Sequence, residues 1–451
     1  MKINIDHKKI NNRINFKDCQ YFNKNKKVSV KTRIINILHH PPHYDDIKGS
    51  ERPHINWDTP DGSWIGIWEN DIPGMFGKEI LKVSDNIEYE VWRPDLRADK
   101  IYSHTFESGV KHKSFPAKMR KFFFGLKIIN QIFSASMLEN LKKTADNNTI
   151  LHLNTLGDYL NREILRRFYD FPKVINFHSK ITTLPVREML RFRKNILKNV
   201  VYFMCHKELV KNKKIYFTYN CSTNIGFLSK YDNLGIERIF TGCDFNYFKK
   251  GNKVEAKKEL GIDQGTTVFS MASRLVKVKQ IAQIIKILTE IDKNDQYDFI
   301  LLLAGRGEKD YVEYLKRISA DLLKKKKLKF TGYLRGNDLL RLYHASDLFI
   351  SSAIHEGGPT SVIKAMGCEI PIFCSRVGGV DDFLEQYQAG ILVDETDYKE
   401  WQKELIAFMD KRRSINLMNR NKAKEMFHWP NVAKKYVKIY EILSKGNLDV
   451  K

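Results

Sequence analysis

Short apolar runs that alternate with charged stretches of helical length are the feature of this sequence that most restricts its fold. In the second half the runs are TVFSMAS, DFILLLAG, LKFTGY, DLFISSA, PIFCS and GILVD. The first half repeats the pattern less regularly, with RIINILHH, IEYEVW, TILHLN, KVINFHS and VVYFMCH. A buried strand followed by a helix is typical of the βαβ unit of a parallel sheet. The sequence therefore predicts an α/β protein with two doubly wound, Rossmann-like domains.

The domain boundary is expected just before the helical stretch VEAKKELG. We predict a polar extension over 1–28, a first domain over 29–238, a second domain over 239–426 and a final helix within 427–451. Residues 44–80 contain three of the six tryptophans and several glycines and prolines, so they are predicted to form a long, functional insertion. Doubly wound domains bind ligands at the carboxyl ends of their strands, which places the expected ligand site in the cleft between the two domains.

Several classes of protein are disfavoured by composition. No run of about 18 apolar residues is present, and the polar N-terminus MKINIDHKKINNRINF lacks the apolar core of a signal peptide. The expected location is therefore the cytoplasm. The six cysteines form no C-x-x-C pair and the 13 histidines form no H-E-x-x-H motif, so neither a metal site nor a disulfide framework is predicted.

The net charge of +24 indicates a negatively charged partner. Roughly +17 of it falls within residues 1–230, which indicates one basic face. Residues 117–133 and 186–203 mix cations with bulky apolar residues, and we predict two helices there that lie on an anionic membrane. The candidate membrane or acceptor contacts are Arg120, Lys121, Arg191, Arg193 and Lys194.

Residues 347–380 carry the strongest chemical signal. A predicted strand, DLFIS, leads to Glu356, then to Gly357 and Gly358, then to a helix that begins near Thr360. Glycines let the backbone approach a ligand closely, and the amides of Thr360 and Ser361 at a helix N-terminus favour an anion such as a diphosphate.

This segment resembles the signature of the retaining family-4 glycosyltransferases, which have the GT-B fold. Glu356 matches the family's first acid, which faces the transferred sugar, and Gly378-Gly379 match a later glycine pair. Two positions depart from the family pattern. Lys364 replaces the second acid, which holds the ribose hydroxyls of the donor, and Glu369 replaces the glycine of a Gly-x-Pro motif.

The resemblance assigns further donor contacts in order along the chain. Arg274 and Lys279 in SRLVKVKQ match the cations that neutralise the donor diphosphate, although Gln280 stands where the family has glycine. Gly305 in LLLAGRGE lies in the following loop of the donor site, and Tyr333 marks the turn whose main chain holds the base. In the first domain, His178 is the better match to a histidine that contacts the sugar near the reacting bond, and His152 is the weaker one.

The resemblance implies a GT-B fold with two Rossmann-like domains facing a cleft and a C-terminal helix that crosses back to the first domain. It implies retaining transfer of a sugar from a nucleoside diphosphate donor, UDP rather than GDP, without cofactor or metal. The expected acceptor is lipid-linked or a cell-envelope polysaccharide such as lipopolysaccharide. The expected partners are the sugar nucleotide, the acceptor and an anionic membrane, but no nucleic acid, with the protein peripheral at the inner face of the cytoplasmic membrane.

Other functions stay open on the sequence alone. Lys364 permits a GT-B subunit that binds donor but no longer catalyses transfer, and the same fold serves phosphorylases and sugar-nucleotide epimerases. The charge permits a nucleic-acid-binding protein, although no nucleic-acid-binding module is recognisable. Binding of a nucleoside diphosphate separates the enzyme from the nucleic-acid-binding class.

Overall fold

Two separate parallel sheets form the framework of the chain. The computed structural model describes residues 31–38, 72–96, 98–124, 127–156, 158–178, 205, 207–212, 214–221, 228, 235–377, 379, 381–411 and 413–445. The predicted extension 1–28 and the tryptophan-containing residues 44–71 lie outside this part.

The first sheet has eight strands in the order β10-β9-β8-β7-β1-β2-β4-β3, and only β3 runs antiparallel to its neighbour. A separate two-stranded sheet, β5-β6, lies between β4 and β7 in the chain. The strands are β1 (Thr32–Ile37), β2 (Ile87–Asp95), β3 (Tyr102–Thr105), β4 (Lys111–Pro116), β5 (Lys118–Phe124), β6 (Lys127–Phe133), β7 (Thr149–Leu153), β8 (Lys173–Phe177), β9 (Ile215–Tyr219) and β10 (Gly235–Arg238). Every residue of β7 and β8 is buried, as expected for strands covered on both faces.

The second sheet has six parallel strands in the order β13-β12-β11-β14-β15-β16. They are β11 (Thr267–Ala272), β12 (Phe299–Ala304), β13 (Leu328–Gly332), β14 (Leu348–Ser351), β15 (Ile372–Ser375) and β16 (Ile391–Val393). The order reverses direction between β11 and β14, which is the switch point where doubly wound domains bind ligands.

Helices cover both sheets. They are α1 (Ile72–Val83), α2 (Ala135–Thr144), α3 (Tyr159–Arg167), α4 (Lys253–Glu259), α5 (Ile281–Ile291), α6 (Lys309–Ile318), α7 (Ala320–Lys324), α8 (Gly336–Ala345), α9 (Thr360–Gly367), α10 (Asp381–Gln386), α11 (Tyr398–Met409), α12 (Arg420–Phe427) and α13 (Trp429–Ser444). In the second domain the apolar face of α5 packs on the sheet, and Trp401 of α11 stacks on Phe373 of β15 with 4.2 Å between ring centroids.

The predicted GT-B fold is confirmed, and all six strand predictions of the second half coincide with β11 to β16. Three expectations in the first half are wrong. Residues 117–133 form the β5-β6 hairpin rather than a helix, because phenylalanine and isoleucine there favour the extended backbone. Residues 72–80, the last part of the predicted loop insertion, lie in α1. Cys205, at the end of the predicted strand VVYFMCH, is helical.

The last helix, α13, returns to the first domain and buries an aromatic face there. Trp429, Tyr436 and Tyr440 join the core formed by β1, β2 and α1. The Tyr440 hydroxyl lies 2.7 Å from Nδ1 of buried His152, and the Tyr436 hydroxyl lies 3.1 Å from the Thr218 hydroxyl. Because both buried tyrosine hydroxyls have hydrogen-bond partners, α13 packs against the first domain without leaving them unsatisfied.

Burial of His152 predicts a pH dependence of stability. Burial, and secondarily the nearby His178, lower the pKa of His152 from 6.5 to about 3. The unfolded chain therefore binds a proton below pH 6.5 that the folded protein excludes until pH 3, so stability falls as the pH drops through this window. At pH 5 the buried, neutral His152 lowers the free energy of unfolding by about 2 kcal/mol.

Between pH 7 and pH 5 the free energy of unfolding should fall by about 2 kcal/mol less in His152→Gln than in the wild type. Urea unfolding at each pH measures this difference. His344→Gln, which changes a histidine of the second domain bonded to the Lys249 carbonyl, is the control and should track the wild type. Equal losses in all three proteins would contradict this role of His152.

Candidate active site

The loops that follow β11, β12 and β14 are joined by backbone contacts at the carboxyl edge of the second sheet. The Leu275 amide donates to the Arg306 carbonyl (2.8 Å), and the Ile354 amide donates to the Val278 carbonyl (3.0 Å). The Ser352 hydroxyl also donates to the carbonyl of Lys279 (2.9 Å). The segments predicted to bind one donor molecule, although about 80 residues apart in sequence, therefore form one continuous surface.

Lys279 and Glu356 form an ion pair at the centre of this surface. The Lys279 ammonium donates to Oε2 of Glu356, and both side chains are less than one-fifth exposed. Lys279 ends a single 3-10 turn (Lys277–Lys279) before α5, and Glu356 lies in the loop between β14 and α9. The sequence predicted both residues as donor-site groups, and the structure brings them into direct contact.

The N-terminus of α9 opens next to this ion pair. The amides of Val362 and Ile363 donate to the carbonyl of Pro359, so the amides of Thr360 and Ser361 precede the hydrogen-bonding pattern of the helix. Such amides, together with the helix dipole, attract an anion. This agrees with the predicted positions of Thr360 and Ser361.

Gly305 allows the loops that follow β11 and β12 to touch. A Cβ atom on Gly305 would lie 1.8 Å from the Ser273 carbonyl oxygen, so this position accepts no side chain without displacement of the backbone. The Gly305 amide donates to the Gly332 carbonyl (2.8 Å), which links this loop to the turn that carries Tyr333. The exposed Arg274 projects from the loop that Gly305 supports.

Tyr333 is half exposed and carries two guanidinium groups over its ring. Arg306 and Arg335 lie 5.2 Å and 4.8 Å from the ring centroid. The sequence predicted only the main chain of this turn as a contact, so these two arginines are additions from the structure.

Lys364 lies on α9, one turn after Thr360, with its side chain largely enclosed. Its ammonium lies 5.0 Å from the centroid of the Phe248 ring, and burial lowers the pKa of Lys364. The carboxylate of Glu369, the residue that replaces the glycine of the Gly-x-Pro motif, lies 3.8 Å from the Lys250 ammonium and 3.9 Å from the Arg420 guanidinium. The ion pairs of Glu369 thus connect it to cations other than Lys364.

Gly357 and Gly358 face the first domain. A Cβ atom on Gly358 would lie 2.7 Å from Nδ2 of Asn220, which follows β9 and is almost fully buried. A Cβ atom on Gly379 would lie 2.9 Å from the Gly357 carbonyl oxygen. Gly378 lies outside the described residues.

Arg238, at the end of β10, connects the two domains behind these glycines. Its guanidinium donates to the carbonyls of Asn220 (3.2 Å) and Gly379 (2.9 Å) and to the Asp382 carboxylate (2.8 Å). Sequence reasoning missed Arg238, Asp382 and Asn220. A polar residue directly after the strand IYFTY was the available signal for Asn220.

In the first domain, His178 belongs to a polar cluster at the carboxyl edge of the sheet. Its Nε2 lies 3.0 Å from Oδ1 of Asn154 and 3.3 Å from Nδ2 of Asn176. Asn154 in turn donates to Asn36 at the end of β1. His152, the weaker sequence candidate, instead contacts α13 and is buried.

The predicted membrane contacts are only partly within the described residues. Arg120 in β5 is exposed, with its guanidinium 4.0 Å from the centroid of the Phe133 ring, and Lys121 follows it in the same strand. Arg191, Arg193 and Lys194 lie outside the described residues. No helix in the described ranges has the length and apolar character needed to cross a bilayer. The described part also holds no cluster of three or more His, Cys, Asp or Glu residues arranged for a metal ion.

Comparison with known proteins identifies a matching family for the second domain and relatives that match about half of the chain. Residues 252–425 match the family described as glycosyl transferases group 1. An uncharacterized glycosyltransferase of Methanocaldococcus jannaschii is 27% identical over 278 residues, which cover 56% of this chain and 70% of that protein. The UDP-Gal:alpha-D-GlcNAc-diphosphoundecaprenol alpha-1,3-galactosyltransferase of Escherichia coli is 26% identical over 217 residues, 47% of this chain and 54% of that protein.

Solved structures share the fold over nearly the whole chain. Sucrose-phosphate synthase of Thermosynechococcus elongatus superposes with a TM-score of 0.65 and 14% identity, covering 92% of this chain and 100% of that one. Anabaena HepE in complex with UDP and glucose superposes with a TM-score of 0.60 and 15% identity, covering 91% and 99%. At these identities the likeness establishes the GT-B architecture alone.

Because the backbone approaches Gly305 so closely, adding one methyl group at this position should lower the stability of the protein. Gly305→Ala should lower the free energy of unfolding by about 1–3 kcal/mol, because the added Cβ forces the loops after β11 and β12 apart. Gly265→Ala, whose Cβ would enter open space, is the control and should stay close to the wild type. Urea unfolding of the three proteins measures the difference, and equal midpoints for Gly305→Ala and the wild type would contradict the close approach.

Proposed function

We propose that this protein, a glycosyltransferase whose residues 252–425 belong to the glycosyl transferases group 1 family, moves a sugar with retention of configuration from a nucleoside diphosphate to a lipid-linked or cell-envelope glycan. The observation that carries this proposal is the contact between Lys279 and Glu356 beside the N-terminus of α9. This contact joins a cation to a carboxylate four residues before Thr360, the first residue of α9, at the switch point of the second sheet.

Transfer of a sugar leaves a diphosphate whose developing negative charge must be stabilised. Lys279, Arg274 and the amides of the Gly358–Ser361 segment would supply this stabilisation, since charged donors bind phosphate oxygens strongly. A bound diphosphate would compete with Glu356 for the Lys279 ammonium. Glu356 would then be free to accept hydrogen bonds from hydroxyls of the donor sugar and orient it for transfer.

The nucleoside would occupy the surface formed by the loops after β12 and β13. Gly305 would allow close approach, and the main chain around Tyr333 would bind the base. The proposed donor is a UDP-sugar rather than a GDP-sugar. This choice is supported by the UDP-dependent E. coli relative and by HepE, which was solved with UDP and glucose.

The ribose contact would differ from that of the family. An ammonium donates to a hydroxyl but cannot accept from it, so Lys364 would bind one ribose oxygen where the usual acid binds hydroxyl protons. Glu369 forms ion pairs with Lys250 and Arg420. Lys364 is therefore the residue that we propose to contact the ribose.

The acceptor would bind against the first domain. His178 and its asparagine partners lie at the carboxyl edge of the first sheet, where His178 would contact the sugar near the reacting bond. Proximity of Gly358 to Asn220 supports this arrangement, because it brings the donor loop next to the first domain.

A lipid-linked acceptor would require the enzyme at the inner face of the cytoplasmic membrane. The charge of roughly +15 between residues 101 and 230 supports this location. The E. coli relative, a galactosyltransferase named for a diphosphoundecaprenol-linked acceptor, supports it as well.

Nucleotide binding tests the proposed donor site. UDP should raise the melting temperature of the wild type more than GDP does, because a ligand that binds only the native state stabilises it. Lys279→Gln should weaken UDP binding by about 10- to 100-fold through loss of a charged hydrogen bond. Glu356→Gln should retain UDP binding but lose sugar transfer, since Glu356 is proposed to contact the sugar.

Lys293→Gln, a change at an exposed lysine of the second domain, is the matched control and should bind UDP as the wild type does. Calorimetric titration of the four proteins gives the affinities. Absence of binding by any nucleoside diphosphate would refute the proposed function, and unchanged UDP affinity in Lys279→Gln would refute the proposed diphosphate contact.

Vesicle co-sedimentation tests the membrane location. The wild type should bind vesicles that contain anionic phospholipid, and salt should weaken binding only in part, because screening leaves the apolar contribution. Reversal of Arg191, Arg193 and Lys194 to Glu should release the protein while UDP binding is kept. Reversal of the exposed Lys258, Lys293 and Lys316 in the second domain is the control with equal charge change. Equal release by both triple variants would contradict a specific membrane face.

A further inference from the structure

We propose that a groove on the outer helical layer of the second domain is a second carbohydrate-binding site. The groove has a volume of about 870 Å³ and lies between α5, α6 and the start of α11. The proposed occupant is an uncharged oligosaccharide segment, at a distance from the reacting sugar. It extends the proposed function, because the segment bound here would belong to the glycan that the enzyme builds.

Buried amide groups without partners are the first observation that points to a ligand. Gln283 lines the groove and is only 8% exposed, yet neither Oε1 nor Nε2 has a hydrogen-bond partner. Oε1 of the adjacent Gln280, also on the groove wall, is buried without a partner as well. Unsatisfied buried polar atoms are costly, and a primary amide needs both donors and acceptors. Sugar hydroxyls supply both.

The aromatic composition of the groove is the second observation. Tyr311 and Tyr314 stack with 5.9 Å between centroids and 28° between ring planes, and Tyr398 on α11 is 54% exposed. Tyrosine combines an apolar ring face with a polar hydroxyl. A pyranose has the matching surfaces, an apolar C–H face and a rim of hydroxyls.

The charge of the groove favours an uncharged ligand. Three lysines and three carboxylates line it, although the whole chain carries +24. A nucleic acid or a phosphorylated chain would instead favour a basic surface.

The position of the groove connects it to the proposed active site. Gln280 follows Lys279 directly and has a left-handed backbone with φ of 49°, so the groove begins one residue from the ion pair with Glu356. An oligosaccharide held here would be kept close to the cleft between transfer steps.

Saturation-transfer NMR with maltotetraose, cellotetraose and chitotetraose, each added to UDP-saturated protein, tests this site. At least one tetrasaccharide should bind the wild type while UDP occupies the cleft. Gln283→Leu and Tyr398→Ala should each weaken its binding by about tenfold or more, as expected for loss of a buried hydrogen-bonding group or a ring contact. Tyr169→Ala is the matched control, since Tyr169 is 53% exposed in the first domain.

Both groove variants should fold, because Gln283→Leu removes only unpartnered polar atoms and Tyr398 is a surface residue. The rise in their melting temperature on addition of UDP shows that they are folded and bind the donor nucleotide. Failure of the donor-site proposal can therefore be distinguished from failure of the carbohydrate-groove proposal. The proposal is overturned if no tetrasaccharide binds UDP-saturated wild type. It is also overturned if the two groove variants bind the sugar as tightly as Tyr169→Ala does.

Discussion

The packing of α13 on the first domain is the constraint on which the geometry of the candidate site depends. Both domains contribute to that site, so their relative position must be fixed to within a side chain's reach. The Trp429–Tyr436–Tyr440 face supplies the buried apolar area, and the tyrosine hydroxyls meet His152 and Thr218 inside the first-domain core. Because an alternative placement of α13 would leave these polar groups buried without partners, the packing is specific as well as stable.

With the domains fixed, the chemistry follows from the carboxyl ends of parallel strands. Close contacts between loops require positions without side chains. Gly305 provides one after β12, against the loop that follows β11, and Gly358 provides one after β14, against Asn220 of the first domain. The ion pair of Lys279 and Glu356 then neutralises two groups that are each partly removed from water. In the proposed mechanism, a diphosphate would offer Lys279 a more highly charged partner, so ligand binding and release of Glu356 would be coupled electrostatically.

The sequence predicted the second domain better than the first, and the reason is physical. Fully buried parallel strands such as FILLLA are continuous apolar runs bounded by glycine or charge, and this pattern has few other interpretations. The hairpin at 118–133 mixes cations with phenylalanine and isoleucine, a composition that fits an amphipathic helix as well as a strand, and the cross-strand pairing that decides between them is not local. Lys279 and Glu356 were predictable because each follows a recognisable strand. Arg238 was not, because its three partners come from two domains and no local pattern records them.

Gln280 and Glu369 have a backbone conformation that residues with a side chain rarely adopt. Both have left-handed backbones, with φ of 49° and 58°, at the two positions where the resembling family has glycine. The surrounding fold therefore dictates the conformation, and each replacement costs about 1 kcal/mol of stability relative to glycine. Glycine at either position would adopt the same backbone without this strain. These two positions are therefore the first to change in a search for a more heat-resistant form.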